Sequence, residues 1–168
     1  MFEKFGEFDS WEELNKAAEG QKAEGDKDAL MELAKENGIC KEDAEDYISG
    51  EAEILCAPLS AAVGKLEIEA ADLKPKGIMK DWIDYIMQLC IEEYDVPFPE
   101  NLGMCLAVRR KNKSLKGCMG RLLKWGHDNM QDLDAEIKKA AGFTGSVKMG
   151  CPGILEARMI IKKYYLEG

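Results

Sequence analysis

Six cysteines, one histidine and a surplus of carboxylates are the residues of this chain with chemical potential. The cysteines stand at 40, 56, 90, 105, 118 and 151 without a C-x-x-C pair, whereas zinc sites usually draw ligands from close pairs. Cys90, Cys105 and Cys118 fall inside apolar helical patterns, where a thiol packs as a small hydrophobe. His127 sits between Gly126 and Asp128, a setting that predicts a solvated turn rather than a base aimed at a nucleophile. The adjacent carboxylates at 42–43, 45–46 and 92–93 belong to solvated helix faces more often than to acid–base pairs. Neither GxGxxG nor a GK[ST] phosphate loop occurs, and the glycines at 117, 120 and 142–153 match no such loop. No catalytic residue, cofactor or metal ligand is assigned on this basis, and a non-enzymatic protein is expected.

Charge is more informative than nucleophiles. The formal net charge of −9 conceals a polarity, for residues 1–100 hold 10 Lys/Arg and 26 Asp/Glu while residues 101–168 hold 13 and 6. Such asymmetry points to charged partners, with solubility the plainer account of the acidic half. Glu42, Asp43, Glu45 and Asp46 face a single Lys41 on one short helical segment. Carboxylates held on a helix imitate a phosphate backbone and suit a groove on a nucleic-acid-binding protein. The positive counterpart is Arg109, Arg110, Lys111, Lys113, Lys116, Arg121 and Lys124, with no acid between 101 and 125. This stretch suits nucleic-acid phosphates or an acidic protein surface. Its plainer account is a solvated helix end, where Arg109 and Arg110 favour the C-terminal dipole. Only Trp125 lies nearby, so a stacking platform for single strands is not expected.

The elements that must carry these charges read as all-α, about eight short helices. Ser10 and Glu13 form a capping box for a first helix that fades near Gly25. Asp26 caps a second helix, stopped by Asn37-Gly38, and a third runs from about Lys41 to Ser49. The stretch 29–50 has the grammar of a helix-turn-helix, but its second helix is too acidic to lie along bare DNA. These helices make an acidic module over 1–50, separated by a connector from a larger helical domain over 58–168. Pro58 opens a helix with Leu59, Ala62, Val63 and Leu66 on one face. Ile78, Trp82, Tyr85, Ile86 and Leu89 mark the clearest amphipathic helix, and DVPFPEN, at 95–101, reads as a loop. Leu102 to Val108 predicts a short helix, and Ser114 caps another with Leu115, Cys118, Met119, Leu122 and Leu123 inward. A turn at Gly126, a helix over 133–141, a small hairpin near 143–150 and a helix starting at Pro152 complete the chain. No apolar run spans a bilayer and the opening MFEKFGEFDS lacks a secretory-leader pattern, so no membrane partner and a cytoplasmic location are expected.

Four segments, FGEFDSWEELNKAAEGQKAEGD, LAKENGICKEDAEDYISGE, KSLKGCMGRLLKW and GCPGILEARMIIKKYYL, together resemble a family of small proteins carried by conjugative elements and phages of gut Firmicutes. That family includes an anti-CRISPR protein that inhibits Cas9, and KSLKGC is similar to the PcfK-like proteins of conjugative plasmids. The resemblance implies a cytoplasmic protein of a bacterial host cell. It also implies a partner, a Cas9-type CRISPR effector nuclease with its guide RNA, whose DNA binding or cleavage is blocked. The alternative is a nucleic-acid-binding or conjugation-accessory protein that contacts DNA through the basic stretch.

Overall fold

The computed structural model describes residues 4–94 and 103–167, so the loop expected at 95–101 lies outside it. Among the described residues the fold is all-α, with nine helices and one two-stranded ladder. Among the described residues no helix is long and apolar enough to cross a membrane. Two compact units divide at 116/117, well beyond the 51–57 connector.

The first unit holds α1 (Trp11–Glu24), α2 (Lys27–Glu36), α3 (Lys41–Ser49), α4 (Pro58–Leu73), α5 (Ile78–Tyr94) and α6 (Gly103–Arg109). Local signals start and stop the first three. Ser10 Oγ accepts from the Glu13 N–H at 3.2 Å, while Glu13 reaches back one residue further than a capping box requires, to the Asp9 N–H at 3.0 Å. Gly25 and Gly50 end their helices in the left-handed conformation. Leu14, Leu30, Leu33, Ala34, Ala44, Tyr47 and Leu55 form one core with Ala61 of α4, so the acidic module is continuous with the helix after the connector. Asn15 holds that connector, its amide donating to the Cys56 carbonyl at 2.8 Å and its oxygen accepting from the Leu55 and Cys56 N–H groups.

The turn between α2 and α3 lies directly on α4. Gly38 has φ +69°, and a Cβ there would stand 2.4 Å from the Gly64 carbonyl oxygen. A Cβ on Gly64 would stand 2.5 Å from the Asn37 carbonyl oxygen. Both glycines are needed for this backbone approach, and Gly38 for its conformation as well. The face expected on α4 is shifted accordingly: Ala61, Ala62, Gly64, Lys65 and Leu66 are buried.

The second unit contains most of α7 (Leu115–Asp128), then β1 (Gln131–Asp132), α8 (Ala135–Ala140), β2 (Lys148–Met149) and α9 (Ile154–Leu166). Three expectations change here. Gly126 and His127 lie inside α7 rather than at a turn, because Gly126 permits close approach of the backbone at Gly150. Leu123 is exposed, not inward, since Leu115, Cys118, Met119 and Leu122 already complete the buried stripe. The extended piece near 143–150 exists as β2, but pairs antiparallel with β1 across the intervening α8, Gln131 opposite Met149. No residue from 129 to 151 is buried.

Gly64→Ala is expected to lose about 1–3 kcal/mol through overpacking against backbone. Gly20→Ala, in α1 with nothing within 4 Å of its added Cβ, should instead gain about 1 kcal/mol from helix propensity. Urea unfolding of the two variants checks both signs.

Candidate functional site

The acidic surface is built on α3. Cys40 occupies the N-cap and its Sγ accepts from the Asp43 N–H at 3.4 Å, a weak substitute for a hydroxyl or carboxylate. Ala44 and Tyr47 bury the inner side, and the Lys22 ammonium both hydrogen-bonds the Tyr47 carbonyl and lies 4.2 Å from its ring centroid. With about 100° per residue, Glu42, Asp43, Glu45 and Asp46 then share an outer arc of about 160°. All four are exposed. Glu42 and Asp43 stand in the first turn, where the helix dipole favours anions. Lys41, the only cation of α3, pairs with Glu45 at 2.9 Å. A cleft of about 220 Å³ adjoins this face, with Asp43, Asp46 and Ser60 beside Ile54, Leu55 and Ala57.

The basic stretch is divided by burial. Arg109, expected at a solvated helix end, is 1% exposed: its Nη2 donates to Asn37 Oδ1 at 2.5 Å and its Nη1 to the Ala61 carbonyl at 3.4 Å. Burial lowers this guanidinium below its ordinary pKa. Lys113 is buried too. These two corrections share one reason, since the carbonyl-rich end of α6 is packed inside the first unit rather than presented to solvent. Arg110, Lys111 and Lys116 are exposed in the first unit, and Arg121 and Lys124 are exposed in the second. Lys124 pairs with Asp128 at 2.8 Å.

A residue with no assigned role holds the loop after α6. Lys65 is fully buried, and its ammonium donates to the carbonyls of Arg110 at 2.7 Å and Lys113 at 2.8 Å and pairs with Glu7 at 2.5 Å. Asp9 Oδ1 accepts from the Lys111 N–H at 2.8 Å, and Glu69 Oε2 accepts from the Leu115 N–H at the start of α7. Burial raises the Glu69 carboxyl above its ordinary pKa, against the opposing pull of that N–H and of Lys65. The available signal was helical spacing: Lys65 follows Ala61 and precedes Glu69 by four residues, within an apolar pattern.

Among the described residues no group of three His, Cys, Asp or Glu side chains is placed to hold a metal ion. His127 is exposed beside Asp128. Cys56, Cys90, Cys105 and Cys118 are buried, and burial pushes the Cys56 thiol up to about 11 and the Cys118 thiol up to about 12. Compared with protein-family models, curated proteins and solved structures, the chain matches none.

Lys65→Met should cost about 3–5 kcal/mol, because Glu7 and two carbonyls lose their donor inside the unit; the urea midpoint measures it. A thiol reagent under native, mildly alkaline conditions should label Cys40 and Cys151 quickly. Cys56, Cys90, Cys105 and Cys118 should react only on unfolding, since buried neutral thiols are poor nucleophiles.

Proposed function

We propose that this chain is a non-enzymatic inhibitor that binds a Cas9-type RNA-guided nuclease and blocks its DNA binding or cleavage. One observation carries the reading: four exposed carboxylates share an outer arc of a helix whose inner face is packed, with a single lysine among them. Effectors of this class hold the guide–target heteroduplex and the displaced strand in positively charged channels and read a short duplex motif with arginines. A rigid carboxylate face competes for such surfaces without the ordering cost of a floppy acidic tail. Long-range attraction between the acidic half and a basic channel would also speed encounter. The likeness of the four quoted segments to proteins of conjugative elements and phages points the same way.

A second reading, DNA binding or a conjugation-accessory role through the basic stretch, draws on Arg110, Lys111, Lys116, Arg121 and Lys124, which remain exposed. It has less to draw on than the sequence suggested, because Arg109 and Lys113 are withdrawn into the first unit.

The deciding experiment combines a cleavage assay with co-elution, using purified nuclease, guide RNA and target DNA. Inhibition with co-elution is expected, and reversal of Glu42, Asp43, Glu45 and Asp46 to Lys should weaken binding by at least tenfold, about 1.4 kcal/mol. Full cutting at excess protein without co-elution would sink the proposal. A salt-sensitive gel shift with duplex DNA, in place of nuclease binding, would favour the second reading.

A further inference from the structure

Residues 4–9 form a strap ahead of α1, fastened to three elements of the first unit by charged groups. The N–H groups of Lys4 and Phe5 both donate to the Glu36 carboxylate, at 2.8 and 3.0 Å, and the Lys4 ammonium pairs with Glu32 at 2.7 Å. Further along, Glu7 pairs with Lys65 of α4, and Asp9 accepts from the Lys111 N–H. Phe5 and Phe8 rest on the core only partly covered, and no residue of the strap is buried. A segment held by ion pairs and half-covered rings is displaced at a smaller cost than one whose side chains fill a core.

The donors that Glu7 and Asp9 occupy adjoin the basic stretch. Lys65 draws the carbonyls of Arg110 and Lys113 onto itself, so the loop after α6 offers at its surface the Lys111 N–H, which Asp9 takes. The Arg110 and Lys111 side chains beside it are exposed and make no ion pair among the described residues. Backbone N–H groups together with Lys and Arg side chains are the donors that fix a protein to phosphate oxygens. Lifting Glu7 and Asp9 away makes this corner more positive by two charges. Lys65, Arg110 and Lys111 then remain with Glu13 of α1 and with Glu69, which stays on the Leu115 N–H. Two unpaired cations beside a free N–H suit the closely repeated charge of a phosphate backbone better than a single acidic side chain. We propose that residues 4–9 are an autoinhibitory strap whose Glu7 and Asp9 occupy the phosphate-binding donors at the loop after α6, so that duplex DNA binds there only when the strap lifts. The proposal rests on the second reading above, DNA contact through the basic stretch, and adds its regulation.

Fluorescence anisotropy of the full chain with a labelled DNA duplex at low salt tests it, with circular dichroism as the check on folding. Glu7→Gln with Asp9→Ala is expected to bind at least about tenfold more tightly than the unaltered chain, as for a strap open less than about a tenth of the time. Asp9→Ala alone, at an exposed position that leaves Glu7 on Lys65, should move affinity in the same direction. Glu12→Gln with Glu24→Gln, an equal charge change at exposed sites on α1, should leave affinity unchanged. Adding Arg110→Ala and Lys111→Ala to the strap variant should abolish the gain. A strap variant that binds no more tightly than the unaltered chain overturns the proposal. So does an equal gain from the α1 pair, a gain that survives loss of Arg110 and Lys111, or tighter binding of polyglutamate than of DNA. Where no form binds DNA, the second reading falls as well; where both forms bind alike, the strap alone is removed.

Discussion

A buried ammonium is tolerated only where its hydration is replaced, and the first unit is arranged to do that for Lys65. Two backbone carbonyls from the loop after α6 and the carboxylate of Glu7 take the place of water. Those partners come from opposite ends of the unit, so satisfying one charge fastens the N-terminal segment, α4 and the 110–113 loop together. Arg109 adds a second link from the same region, reaching Asn37 at the end of α2. An apolar core alone would accept several registers of these helices. Directional bonds to buried cations admit few, at the cost of making each partner indispensable.

This arrangement also changes what the sequence polarity means. The acidic and basic blocks of the chain are not simply two displayed surfaces. Glu7, Asp9 and Glu69 from the acidic half are spent on Lys65, on the N–H of Lys111 and on the N–H that opens α7. Arg109 and Lys113 from the basic half are withdrawn into the unit. The carboxylates of α3 are different, because their helix packs through Ala44 and Tyr47 and leaves the charges outside. Surface charge that has survived packing in this way is a better guide to a partner than a count of charges along the chain.

Close packing and bare surface are likewise distributed unevenly. The Gly38–Gly64 approach brings a turn onto a helix at a separation no side chain could occupy. From 129 to 151, by contrast, no residue is buried, and α9 presents apolar side chains on two sides. The tightly built parts bear the acidic face, and the loosely covered parts leave large apolar side chains exposed.

The sequence by itself determined the helices, because the forces that begin, end and orient a helix act within four residues. Ser10 and Asp26 as caps, Gly25, Gly38 and Gly50 as stops, Pro58 as a helix start and the burial of Cys90, Cys105 and Cys118 were legible from local spacing, whereas that of Cys56 in the connector was not. The exposed carboxylates of α3 followed from the same periodicity. Tertiary structure alone decided which charges stay at the surface, since Lys65 and Arg109 find their partners some 45 to 72 residues away. It also decided that Gly64 must be a glycine, that β2 pairs with β1, and that α9 has one stripe covered and another bare. Each of these depends on which distant segments meet. Residue spacing carries no record of that, because a buried lysine and a solvated one present the same local pattern until carbonyls from a distant loop arrive.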